Sequence, residues 1–189
     1  MKHFALLLLI VFVGTFPAGA ASSAYSDLDL AKGCTIVAKA PDGDGDWVEY
    51  KCPGYAGYPV RVFESDLRQS LSYGPDVEEP AWESFSAFNR AGPKIEWRLE
   101  GGKPFAAIHR WFVSAGDSQA EIQVLVVEKV GQPGAPGSCA IGLVLASGNP
   151  QANDEARKLA DAKARAFVCG AAQAERVGQP MPDFGREKY

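Results

Sequence analysis

Between Lys94 and Glu100 the chain reads KIEWRLE. Ile95, Trp97 and Leu99 alternate with Glu96, Arg98 and Glu100, the period of two that gives a strand one apolar face. Gly101-Gly102 follows and predicts a two-residue hairpin turn, because glycine accepts the positive φ that such turns need. PFAAIHRWFVS (Pro104–Ser114) is then the returning strand. A regular turn sets His109 opposite Lys94, with Glu96 one step along the same face and Phe105, Ala107 and Trp111 beside it. CTIVAKA, WVEYKC, YPVRVF, DLRQSLSY, EIQVLVVEKV and CAIGLVLAS carry the same kind of signal, separated by turns rich in Gly, Pro, Asn and Asp.

Two stretches break the strand pattern. Residues 75–93 form a long connection in which Trp82, Phe85 and Phe88 recur every three residues, which predicts a helical turn or two. Residues 150–169 read as a helix, with Asn149 as N-cap, Pro150 at the first position and Cys169-Gly170 as the stop. Ala152, Ala156, Leu159, Ala160, Ala166 and Phe167 form its apolar stripe, and Asp154–Lys158 and Asp161–Arg165 are spaced as i,i+4 ion pairs. The expected architecture is α+β: a mostly antiparallel meander sheet of about eight strands with one C-terminal helix packed on it. Residues 21–173 are expected to form a single domain, and 174–189 a tail that wraps it or frays.

The first twenty residues change the setting. Lys2 is followed by an apolar run from Phe4 to Val13 and then by Ala18-Gly19-Ala20. A positive start, a core of about ten apolar residues and small residues before a cut describe a secretory signal peptide. A membrane span needs about twenty apolar residues, so no membrane anchor is expected. Losing residues 1–20 removes one lysine and no carboxylate, so the formal charge moves from −4 to −5. An acidic chain without a basic run is not built for nucleic acid. The expected location is periplasmic or secreted.

Export gives the cysteines their meaning. Cys34, Cys52, Cys139 and Cys169 are four, an even number, and an oxidising compartment favours disulfides. The C-x-x-C spacing of a zinc site is missing. If Cys34 faces Cys52, the midpoint is residue 43, and the loop Pro41–Asp46 is centred at 43.5. The same register sets Ile36 opposite Tyr50 and Ala38 opposite Val48, with all six residues on one face. For the other pair, the strand Cys139–Gly148 spans roughly 30 Å and the helix Pro150–Cys169 about 28 Å. An antiparallel strand and helix of matched length return Cys169 to Cys139. The expected bridges are Cys34–Cys52 and Cys139–Cys169.

Candidate chemistry is sparse. PDGDGD (Pro41–Asp46) carries Asp42, Asp44 and Asp46 at alternate positions, like the start of a calcium loop. Such a loop needs glycine sixth and glutamate twelfth, where this chain has Trp47 and Pro53. The stretch reads as a polar hairpin tip, with a weak, irregular calcium site as the alternative. His109 is the single histidine after residue 20, so a histidine base would have to be His109, with Glu96 as its partner. No G-x-S-x-G elbow accompanies it. Glu78-Glu79 and Asp154-Glu155 are adjacent rather than facing carboxylates, and a loop and a helix N-terminus account for them. Tyr55, Tyr58 and Tyr73 around GYAGYP are a candidate recognition surface, since tyrosine joins an apolar body to a polar tip.

KCPGYAGYPVRVFESDLRQSLSYG, AFNRAGPKIEWRLEGGKPFAAIHRWF and ARAFVCG resemble conserved blocks of a family of uncharacterised exported proteobacterial proteins with paired cysteines. The resemblance implies the periplasm and leaves function open, so no functional residue carries over from it. The residues favour a monomeric, non-catalytic binding module, without cofactor, for a protein, glycan or small ligand. A hydrolase using His109 with Glu96 is the alternative enzyme reading. An inhibitor-type protein engaging a partner through loop 75–93 or 131–138 is the other.

Overall fold

The computed structural model describes residues 21–75, 81–116, 120–135 and 137–187. Among them lie, in chain order, β1 (Ser22–Asp27), β2 (Thr35–Lys39), β3 (Val48–Tyr55), β4 (Tyr58–Ser65), β5 (Arg68–Tyr73) and β6 (Trp82–Phe85). Then come β7 (Asn89–Glu100), β8 (Lys103–Ser114), β9 (Glu121–Lys129), β10 (Cys139–Leu145), α1 (Ala152–Lys163), β11 (Glu175–Val177) and β12 (Phe184–Glu187). Residues 1–20, expected as a signal peptide, and Glu78-Glu79 lie outside the described residues. No helix among the described residues is long and apolar enough to cross a membrane.

The strands do not form one eight-stranded meander. They form a six-stranded sheet in the order β1-β7-β8-β9-β10-β11, a four-stranded sheet β2-β3-β4-β5 and a ribbon β12-β6. The α+β class holds, and β7 to β10 do meander antiparallel. The edges are what local pattern misses. β1 pairs with β7 about seventy residues on, β11 joins β10 in parallel, and β12 pairs with β6. The 174–189 segment thus supplies two strands.

Three layers result. One face of the six-stranded sheet meets the four-stranded sheet, where Val60, Val62, Leu71 and Tyr73 pack with Ile95, Trp97, Trp111, Val124 and Val126. The other face meets α1, where Ile108, Leu125, Val127 and Ile141 pack with Ala156, Leu159 and Ala160. A strand buried on both faces needs no alternation, which accounts for the unbroken VLVV run of β9 (Val124–Val127).

Both predicted disulfides are present. The first hairpin keeps Ile36 opposite Tyr50, but a bulge at Val37 moves Ala38 opposite Glu49. Ile36 is therefore exposed on an edge strand rather than part of an apolar face. Trp82 and Phe85 are buried in a strand rather than a helical turn, and Phe88 is exposed. The Ser84 hydroxyl donates to Gln69 O, and Glu83 N–H donates to the Ser70 hydroxyl, which ties this short strand to β5.

The helix begins two residues later than Asn149-Pro150 suggested, though Asn149 Oδ1 still accepts from Gln151 N–H. Asp154 pairs with Arg157 one turn on, and the Asp161–Arg165 pair is replaced by pairs to β7. Arg157 Nε donates to Glu96 (2.7 Å), Arg98 donates to Asp161 (2.6 Å) and Arg165 Nε donates to Glu100 (3.1 Å). The spacings explain the match. Alternate strand residues repeat every ~6.6 Å, and every fourth helical residue repeats every ~6.0 Å. The polar face of KIEWRLE is thus covered by the helix, leaving Glu96 and Arg98 only 7% exposed. The Glu96 hydrogen bond holds the Arg157 guanidinium well above its ordinary pKa.

Between β4 and β5 the two-residue turn Asp66-Leu67 has φ of 51° and 57°. Leucine is strained there, and its side chain is 69% exposed. Leu67→Gly restores the Asp-Gly pair that such turns prefer. It is expected to raise stability by about 1 kcal/mol, read as a higher urea midpoint at unchanged slope.

Candidate functional site

The structure does not bring His109 and Glu96 together. Leu99 lies opposite Pro104, but Arg98 lies opposite Ala106, so Phe105 is an extra residue in β8. One inserted residue flips the faces beyond it. His109 consequently sits opposite Ile95, and Glu96 opposite Ile108. Ala107 and Trp111 stay with the core between the sheets, whereas Phe105 turns to the helix side.

His109 is held from both sides. A second irregularity sets Gly92, Pro93 and Lys94 against Arg110 and brings Gly92 O to 2.6 Å from His109 Nε2. A carbonyl only accepts, so Nε2 carries the proton. Nδ1 then accepts from the Tyr73 hydroxyl at 2.8 Å. His109 is 1% exposed, and burial lowers its pKa to about 4 against the pull of the Gly92 hydrogen bond. It is a neutral core residue.

The three tyrosines do not form an open surface. Tyr73 is wholly buried, and Tyr55 is half-buried against Trp97. The Tyr58 hydroxyl donates to Gln132 Oε1. The Asp-Gly tip does not converge on a point either. Asp42, Asp44 and Asp46 are exposed, and Asp46 turns back to accept from Ser65 and Asp66 N–H. Among the described residues no cluster of three or more His, Cys, Asp or Glu side chains is arranged to hold a metal ion.

The unusual chemistry lies where sequence reasoning did not look. Glu83 of β6 and Glu128 of β9 are both buried. A bulge after Ala140 turns its N–H to Glu83 Oε2 at 2.7 Å, and Ala140 is also the strand partner of Glu128. Burial raises the Glu83 pKa, opposed by that N–H and by Arg186. Burial, then the Glu83 charge, raises Glu128 well above the usual carboxylate range. Glu128 Oε2 has no hydrogen-bond partner among the described protein atoms. Burial, with the Glu128 charge second, also pushes the Tyr73 hydroxyl up, so it stays a donor. Glu128 did leave a trace in the sequence. It follows Val124 and Val126 at the same alternation, a carboxylate aimed at the core.

Arg186 of β12 lies across from Glu83 in the ladder, and its Nε is 3.4 Å from Glu83 Oε1. Above this pair is a cavity of about 380 Å³ lined by Glu83, Leu143, Gln173, Arg176, Phe184 and Arg186. Arg176 stands at the rim, where it donates to Phe184 O at 3.1 Å. Among the described residues it has no carboxylate partner. A larger hollow, about 610 Å³, runs beside the Cys139–Cys169 bridge and is lined by apolar residues such as Phe105 and Val168. Its cations are engaged: Lys129 by Phe167 O, and Arg165 by Glu100 and the Phe105 ring. Of these two, the smaller cavity is the less open and is lined by a cation without a carboxylate partner among the described residues. Comparison with family models, curated proteins and solved structures finds no match to this chain.

Proposed function

We propose that this protein is an exported, periplasmic binding module without catalytic activity, and that its ligand occupies the cavity between β6, β10 and the C-terminal strands. The cavity carries the reading: its lining joins an exposed arginine without a carboxylate partner among the described residues to the buried Glu83 carboxyl and its Arg186 partner. A concave site where a few polar groups converge on apolar wall is where a ligand binds. Two disulfides suit an oxidising compartment, in keeping with the leader pattern and the family resemblance. The state of His109 supports the non-catalytic part. Both ring nitrogens are engaged, the ring is shielded from water, and Glu96 is bound to Arg157 on the opposite face.

A thermal-shift screen tests this, with sugars, cell-wall fragments, small carboxylates, phosphate and calcium chloride as probes. A ligand at a hundredfold excess over its Kd stabilises by about 2.7 kcal/mol, several degrees for a chain of this size. The control is Ala174→Leu. Ala174 is half-buried, lines the cavity and lies outside both hydrophobic cores, so a larger side chain there takes up cavity space. The expected result is a shift in the wild type that Ala174→Leu loses. A shift that survives the substitution, or no shift with any probe, overturns the assignment.

A further inference from the structure

We infer that the ligand is a small organic carboxylate, gripped between Arg176 at the rim and Arg186 on the floor of the cavity. This rests on the cavity's being the binding site. The two guanidiniums belong to the successive strands β11 and β12 of the C-terminal segment. Arg176 donates to the carbonyl of Phe184, and Arg186 is two residues beyond it on β12. Each guanidinium has more N–H donors than the structure uses. Arg176 makes one hydrogen bond among the described residues, and Arg186 makes a 3.4 Å contact with a carboxylate already engaged by Ala140 N–H. Planar forks of N–H donors match a carboxylate in two-point fashion.

Charge decides between classes of anion. Arg176 and Arg186 bring two positive charges, and Glu83 offsets up to one of them. With Glu83 ionised against Arg186, a single carboxylate therefore leaves the cavity neutral. A phosphate dianion would then leave one excess negative charge beside Glu83. The remaining wall is apolar at Leu143 and Phe184, with the Gln173 amide beside them. That fits a short acid whose body is partly apolar.

The experiment is calorimetric titration of the disulfide-bonded protein with propionate, lactate and benzoate, against their amides and against phosphate and sulfate. At least one acid is expected to bind, with its amide at least tenfold weaker. Arg176→Gln is expected to weaken the acid at least tenfold while leaving the melting temperature of the free protein unchanged, since Arg176 is exposed and makes one contact. Arg186→Gln is the less clean variant, because it also removes the ion pair to Glu83. Equal binding by Arg176→Gln, or preference for phosphate or for an amide, overturns the carboxylate assignment while the cavity stands, provided that Ala174→Leu abolishes the binding seen. Binding that Ala174→Leu leaves intact, or no binding by any probe here or in the thermal screen, overturns the cavity and the carboxylate together.

Discussion

Replacing Gly74 by alanine is expected to remove about 4 kcal/mol of stability, at the far end of what single substitutions do. Gly74 sits where the four-stranded sheet meets the chain leaving β9. Its N–H donates to Pro59 O, and Gly131 N–H donates to Tyr73 O one residue earlier. The backbones cross so closely that a Cβ on Gly74 would lie 2.3 Å from Gly131 O. Its φ of +117° adds strain that only glycine escapes. Neither backbone yields without disturbing Tyr73, which closes the core between the sheets. Gly101→Ala separates the two causes. Gly101 also has positive φ, at +56°, but a Cβ there meets open space. Strain alone should cost about 1 kcal/mol. Urea unfolding of both variants reads the difference, and equal losses would sink the close-approach argument.

The second large effect is on acid stability. In the unfolded chain His109 titrates near 6.5, and in the folded protein near 4. Below pH 6.5 the unfolded state binds a proton that the folded state refuses. The contribution is complete above pH 6.5 and is lost as pH falls toward 4, where it amounts to about 3 kcal/mol. Glu83 and Glu128 act with the opposite sign. Their folded pKa values are raised, so their contribution is complete below the unfolded value and is lost as pH rises. The overall curve therefore mixes the two, and the difference between wild type and His109→Gln isolates the histidine. Between pH 8 and pH 4 the variant should lose about 3 kcal/mol less than the wild type. Identical pH slopes would mean that His109 is not held neutral.

These two residues also show where sequence reading stops. The alternation of KIEWRLE, the Gly101-Gly102 turn and both cysteine pairs are local patterns, and each survives in the structure. His109 was placed on the right strand but paired with the wrong residues, because a single bulge at Phe105 is invisible to periodicity. Glu96 is expected beside His109 from the sequence, since nothing in its own strand announces Arg157 sixty residues on. The Glu83–Arg186 pair depends on β12 reaching β6, a contact across a hundred residues with no local signature. Tyr55, Tyr58 and Tyr73 cluster in sequence, yet two sheets closing over Tyr73 make it core. The cavity was not legible because its lining comes from three distant segments.

The seam between α1 and β7 settles a question that packing alone leaves open. Ala152, Ala156, Ala160 and Ala164 repeat every four residues, and all are buried against the sheet. A ridge of identical methyl groups maps nearly onto itself when the helix slides by one turn, so the apolar contact barely distinguishes the two positions. The charges do distinguish them. Sliding by four residues would set Asp161 against Glu96 and Arg165 against Arg98, like against like at two adjacent steps. The alternating signs act as a vernier on a smooth rail, allowing alanine, the residue that lets the helix lie closest, to be used without losing its place.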